Sequence, residues 1–144
     1  MLIQIAFGAG MIVVTTLIQG VFTMLGIEAL HDHLARYHTK SLVRATLKLA
    51  AFVLWLFLAM VLEVWTWAIL YLALGAIGPI EKAVYFSTVT FTTLGFGDIT
   101  LGEEWRLLSS FEAANGLLMF GWSTALVFAV VQWVYRGGRG LARS

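Results

Sequence analysis

The sequence predicts an all-α membrane protein with three transmembrane helices and, between the last two, a short re-entrant helix that runs into an extended stretch. Three observations predict it. The chain has 144 residues, 60% hydrophobic and 12% charged, with a mean hydropathy of +0.90, which is too apolar for a soluble domain of this size. Charge is also unevenly placed: residues 2–27 carry none, residues 49–74 carry only Glu63, and residues 107–135 carry only Glu112. Each run is long enough for a hydrocarbon core that needs about 20 apolar residues. Finally, Gly78-Pro79 and the alternate glycines of Thr92-Thr93-Leu94-Gly95-Phe96-Gly97-Asp98 break the pattern between the second and third runs.

Composition also excludes functions. Cysteine is absent, so no disulfide, thiolate nucleophile or cysteine metal site exists. A net charge of +1 with no basic patch gives no nucleic-acid partner. No nucleophile, base and oxyanion arrangement is visible, so no enzyme activity and no cofactor is expected.

The first run, residues 1–27, is expected to be a transmembrane helix rather than a secretory signal, because no basic segment precedes its apolar stretch. Gly8, Gly10, Thr15, Thr16, Gln19 and Gly20 lie within it and suit close helix packing, or are ordinary residues of a membrane helix. Residues 28–48 set Arg36, Lys40, Arg44 and Lys48 against Glu28 and Asp32. The bases recur every fourth position along one side of a helix, so a short amphipathic helix on the membrane surface is expected. His31 and His33, two apart, point to different sides of a helix and cannot chelate one ion together; with His38 they are expected to be solvated surface residues.

Residues 49–74 form the second span. A carboxylate at the depth of Glu63 must be neutral, paired or in a polar pocket, and it is expected to be a hydrogen-bond partner of the re-entrant helix. Trp65, Trp67 and Tyr71 are expected at the headgroup level of the outer end. Pro79 suits a helix start, and Glu81 lies near the positive end of that helix's dipole. Residues 80–92 are too short to span, so this helix should be buried in protein with its negative end aimed at mid-membrane.

The stretch that follows it carries the chemistry. Gly at every second position allows φ > 0 without a Cβ clash, so successive carbonyls can turn the same way. A row of carbonyl oxygens can replace the hydration shell of a cation. The carbonyls of Thr93, Leu94, Gly95 and Phe96, with the hydroxyl of Thr93, form such a row. One strand surrounds nothing, so a closed ring of identical subunits is implied.

These residues resemble the potassium-channel signature T-x-x-T-x-G-[YF]-G-D, with Thr90, Thr93, Gly95, Phe96, Gly97 and Asp98 all on it. The resemblance covers residues 49–135: an outer helix 49–74, a pore helix 80–92, a selectivity filter 93–98 and an inner helix 107–135. It implies a homotetramer binding K⁺ at Thr93, Leu94, Gly95 and Phe96, with Gly97 completing the filter. It also implies support behind the filter from Asp98, Tyr85, Phe86, Thr92, Glu112 and Glu63. Tyr85 stands where it can donate to Asp98. Phe96 and Phe86 replace the Tyr and Trp frequent in the family, which exchanges a hydrogen bond for apolar packing. Val89 stands where some members place a carboxylate. In the inner helix, the resemblance implies Gly116 as a gating hinge and Leu117, Phe120, Thr124 and Phe128 as the cavity lining. Close packing is expected at Gly121.

The outer loop, with Glu81, Lys82, Asp98, Glu103, Glu104 and Arg106, is net acidic, whereas residues 28–48 and the tail 136–144 (Arg136, Arg139, Arg143) are basic. Positive flanks are cytoplasmic. The expected topology in the cell's plasma membrane is therefore multi-pass, with the N-terminus and filter mouth outside and the C-terminus inside. No helix has arginine at every third position, so voltage sensing of that kind is not expected. With nine residues after Tyr135, no ligand-binding domain is expected on the same chain. Control is expected from the filter, the inner-helix crossing, lipid, pH, tension or an unidentified regulatory partner. The expected function is a potassium-selective channel subunit; a weakly selective cation channel and a non-conducting structural or regulatory subunit are the alternatives.

Overall fold

A computed structural model of the chain describes residues 1–36 and 42–140. Side chains are described for residues 1–29 and 43–133. Among the described residues four helices make up the fold, α1 (Leu2–Arg36), α2 (Leu42–Ala73), α3 (Ile80–Phe91) and α4 (Arg106–Gly140), with no β-strand. Three segments of them are long and apolar enough to cross a membrane: Leu2–Ala29, Val43–Ala73 and Arg106–Trp133. The chain is an all-α membrane protein.

The separate surface helix expected over residues 28–48 is not an element of its own. Residues 28–36 continue α1 and residues 42–48 begin α2. The physical reason is that no Gly or Pro falls between Ile27 and Leu49, so neither helix meets a breaker at the point where hydropathy changes. The side chains of His31, His33 and Arg36, all of His38 and Lys40, and the side chains of the basic tail lie outside the described residues.

Helix α2 buries a stripe at helical spacing, Phe52, Leu56, Ala59, Glu63, Trp67 and Tyr71, and exposes Leu54, Phe57, Ile69 and other apolar residues on its far side. Trp67 and Tyr71 are fully buried in this stripe. They are core residues, so of the three aromatics expected at the headgroup level only Trp65 is exposed. The helix ends in a Schellman motif: Gly75 has φ +65°, its N–H donates to the Leu72 carbonyl, and the Ala76 N–H donates to the Tyr71 carbonyl. After Ile77 and Gly78, Pro79 takes an extended φ of −80° and its carbonyl accepts the first bond of α3, from the Ala83 N–H.

Helix α1 is held by a polar seam. Thr15 and Asn115 hydrogen-bond to each other through side chains at 2.9 Å, and the Gln19 amide donates to the Ser123 hydroxyl at 2.8 Å. All four are buried. At the start of α4, whose first N–H groups have no helical partner, the Leu107 N–H donates to Gln4 Oε1 at 3.1 Å. Phe7 meets Trp105 edge-on there. The start of α1 therefore sits at the same end of the bundle as the loop before α4. Towards the other end, the Trp55 indole donates to the Phe22 carbonyl at 2.8 Å, and Gly26 lies under the Trp55 ring.

Glycine placement departs from expectation. Gly8 does pack closely, under the Phe111 ring, whereas Gly10 and Gly20 face open space, and Thr16 bonds only its own helix, at the Ile12 carbonyl. Among the described glycines of α4 the close-packed one is Gly116, since a Cβ there would collide with the Phe91 carbonyl oxygen. Gly121, expected to be the packing glycine, is exposed with nothing near its Cβ position. The inner helix touches the end of α3 one turn earlier than a packing role at Gly121 requires. Gly116→Ala should therefore lower the stability of the assembled protein by about 1–3 kcal/mol, the scale of overpacking. Gly10→Ala should be neutral or stabilising, and thermal unfolding of the two variants side by side checks both.

Candidate ion pathway

Helix α3 delivers the chain to the glycine-alternating stretch 93–98. Its last turn is closed by Thr92, whose N–H and hydroxyl both donate to the Thr88 carbonyl. The backbone then takes left-handed φ at alternate residues, Thr93 (+61°), Gly95 (+55°) and Gly97 (+78°). Thr93 is the one non-glycine among the described residues with φ > 0. A β-branched residue is disfavoured there.

What turns the strand is the Val89 carbonyl. It accepts from the Leu94 N–H at 2.9 Å and from the Gly95 N–H at 3.3 Å. In a planar trans peptide the N–H of one residue and the C=O of the one before it point in opposite directions, and no peptide among the described residues is cis. With both N–H groups turned back on α3, the carbonyls of Thr93 and Leu94 point away from it. Residues 93–98 are exposed in the isolated chain, Leu94 and Phe96 to 60% and 66%.

Beside this stretch lies a cleft of about 370 Å³ whose lining includes Tyr85, Phe86, Val89, Asp98, Arg106 and Ser109. Across its rim the Tyr85 hydroxyl donates to Asp98 Oδ2 at 2.8 Å. Tyr85 lies outside the three spans, and this hydrogen bond to a carboxylate, more than any burial, holds its hydroxyl above the ordinary tyrosine range. It stays a donor at neutral pH. Phe86 turns inward instead, edge-on to the Tyr71 ring at a centroid distance of 5.2 Å. The apolar packing expected between Phe86 and Phe96 is therefore not the contact that buries Phe86 within one chain.

Glu112 reaches α3 from the inner helix. Its Oε2 accepts from the Tyr71 hydroxyl at 2.6 Å, and its Oε1 is hydrogen-bonded with the Ser87 hydroxyl. The Ser87 hydroxyl also meets the Val64 carbonyl at 2.8 Å. Tyr71, Ser87 and Glu112 are each fully buried. Neither Ser87 nor Tyr71 was marked as a site residue by the sequence. A serine on a buried helix opposite a lone acid in the next span was the available signal.

The chain belongs to the ion channel family. The family's model matches residues 50–132, more than half of the chain and consistent with the potassium-channel pore resemblance. No curated protein and no solved structure matches the chain. The family match takes in α3, the extended stretch 93–98 and most of α2 and α4, and leaves α1 outside.

Other expected site residues fall as follows. Glu63 is fully buried, but neither oxygen has a hydrogen-bond partner among the described residues, so the bond expected from it to the pore helix is not made. Position 87 on that helix is already engaged by Val64 and Glu112. One turn from Glu63, the Trp67 indole N–H is likewise buried and unpartnered. Leu117, Phe120, Thr124 and Phe128 are all exposed on α4 in the isolated chain, with the Phe120 ring 6.1 Å from that of Phe91. The Thr124 hydroxyl donates to the Phe120 carbonyl of its own helix. Gly116 is the close-contact glycine of α4, as described above.

Replacing Tyr85 by Phe removes the donor to Asp98. One hydrogen bond at a solvent-accessible rim is worth about 1 kcal/mol, or about fivefold in a local opening equilibrium. Amide hydrogen exchange over residues 97–100 should quicken by about that factor in Tyr85→Phe.

Proposed function

We propose that the protein is a potassium-selective channel subunit that conducts K⁺ passively through backbone carbonyls, as a homotetramer. The observation that carries this is the left-handed backbone at Thr93, Gly95 and Gly97, with the Leu94 and Gly95 amides turned back on Val89. That arrangement offers successive oxygens on one side of a strand, the lining a dehydrated cation needs. The K⁺ ligands are the carbonyls of Thr93, Leu94, Gly95 and Phe96, with the Thr93 hydroxyl at the inner end. A homotetramer is supported by what one chain leaves open: the filter strand, with Phe96 two-thirds exposed, and the apolar face of α4 that carries Leu117 and Phe128. Fourfold closure would bring the strands around one axis and place Leu117, Phe120, Thr124 and Phe128 on an inner cavity.

Membership of the ion channel family makes transport the function, and selectivity for K⁺ is the finer step. The acidic filter mouth and the basic residues on the opposite flank favour a plasma-membrane orientation with the N-terminus and filter mouth outside. The start of α1 packs at the same end as the filter-mouth loop, as this topology requires. Selectivity comes from carbonyl geometry. No cofactor or catalysed chemistry is involved.

Flux through the purified protein in liposomes, under K⁺ and Na⁺ gradients run in parallel, tests this. K⁺ flux without Na⁺ flux is expected from the wild type, and Gly95→Ala should abolish it. A Cβ in the left-handed region costs about 1–2 kcal/mol in every subunit and crowds the ion path. Comparable Na⁺ flux would make the pore a weakly selective cation channel, and normal K⁺ flux in Gly95→Ala would remove the filter assignment.

A further inference from the structure

The Tyr71–Glu112–Ser87 cluster holds a proton that can be counted. Three oxygen–oxygen contacts are made: Tyr71 with Glu112 Oε2, Ser87 with Glu112 Oε1, and Ser87 with the Val64 carbonyl. Each hydrogen bond needs one hydrogen. A tyrosine and a serine hydroxyl carry one each, and a backbone carbonyl carries none. Unless the single Ser87 hydrogen is split between two acceptors, which weakens both contacts, one contact lacks a hydrogen that only the carboxyl of Glu112 can supply. The assignment that satisfies every atom has Tyr71 donating to Oε2, Ser87 donating to the Val64 carbonyl, and the Glu112 acid O–H donating to the Ser87 oxygen. All three side chains are fully buried, where a carboxylic acid with both oxygens bonded is far less costly than an unpaired anion.

The position of this acid matters as much as its proton. Ser87 lies two residues before Val89, whose carbonyl sets the direction of the Leu94 and Gly95 amides. Glu112 lies one turn before Gly116, which touches the last carbonyl of the same helix, that of Phe91. Helix α4 thus meets the pore helix at two points, 87 and 91, each matched by a residue four apart on itself, 112 and 116. The pore helix is fixed along its axis and in rotation, with Val89 between the two contacts. Tyr71 ties the same carboxyl to α2, so the pore helix, inner helix and outer helix meet at one group.

We propose that Glu112, as a neutral carboxylic acid donating to Ser87, is the positioning residue that sets the pore helix and thereby the register of the filter carbonyls on which ion discrimination depends. This rests on the reading of the chain as a selective channel. The effect on K⁺ is indirect, through the Val89 carbonyl.

The test uses the full chain in liposomes, with the wild-type ratio of K⁺ to Na⁺ flux as reference and the oligomeric state of each variant measured by size-exclusion chromatography with light scattering. A glutamine amide carries both a donor and an acceptor, so Glu112→Gln should retain discrimination. Glu112→Leu and Ser87→Ala, which strand a buried partner, should each lower the flux ratio by about tenfold. Ser87→Ala leaves the packing volume nearly unchanged and decides the matter if Glu112→Leu does not assemble. Infrared spectroscopy supplies a second readout: a carboxylic-acid carbonyl stretch that shifts in D₂O and is lost in Glu112→Gln, with Glu63→Gln separating any contribution of the other buried acid. Wild-type discrimination in an assembled Ser87→Ala protein would overturn the positioning role. Absence of the acid stretch, or Glu112→Gln behaving as Glu112→Leu does, would overturn the neutral state. A wild type that passes both ions equally removes the selective-channel reading itself, and an acid stretch still lost in Glu112→Gln would then reduce the cluster to a packing device.

Discussion

One carbonyl oxygen carries the geometry of the extended stretch 93–98. A chain leaving a helix in a water-poor setting must give its next amides a partner, because an unbonded N–H costs several kcal/mol there. Both the Leu94 and the Gly95 N–H find that partner in the Val89 carbonyl. The planarity of the peptide then sends the carbonyls of Thr93 and Leu94 the other way. Left-handed φ at Thr93, Gly95 and Gly97 continues the turn, easily at the glycines and against the preference of a β-branched residue at Thr93. The rest of the chain holds α3 where Val89 can do this.

That holding is done with polar contacts and missing side chains more than with apolar area. Lipid tails are as apolar as leucine, so helix association in a bilayer relies on close packing and interhelical hydrogen bonds. Gly116 lets α4 reach the Phe91 carbonyl, Gly8 lets α1 accept the Phe111 ring, and Gly26 lies under Trp55. Thr15–Asn115, Gln19–Ser123 and Gln4–Leu107 fix α1 along α4. Helix α1, outside the family match, therefore bonds the inner helix on either side of Gly116. Among the described residues, buried polar atoms of Glu63, Trp67, Thr23 and the Gln19 side-chain carbonyl oxygen are left without a partner.

Much of the architecture was legible because its signals are local. Uncharged runs of membrane length, Gly75 and Pro79 as stop and start, and Gly95 and Gly97 at alternate positions each act through nearby backbone. The same locality explains the misreadings. Charge periodicity over residues 28–48 suggested a surface helix, yet nothing in that stretch breaks α1 or α2 where hydropathy changes. Trp67 and Tyr71 have the composition of headgroup aromatics, but their angular position on α2 turns them into the core. Position around a helix depends on what packs against it, and a period alone does not say which neighbour that is.

The sequence by itself determined the class of fold, the number of spans and the stretch of backbone able to line an ion path, because hydropathy and glycine chemistry are properties of neighbouring residues. Tertiary structure alone decided which of two glycines in α4 makes the close approach, which of two buried acids is bonded, and that Ser87 is where α4 grips α3. Those choices turn on pairs far apart in the chain, such as Ser87 with Glu112 and Thr15 with Asn115. Whether a buried polar atom is satisfied depends on an atom on another helix, and only packing brings that atom within reach.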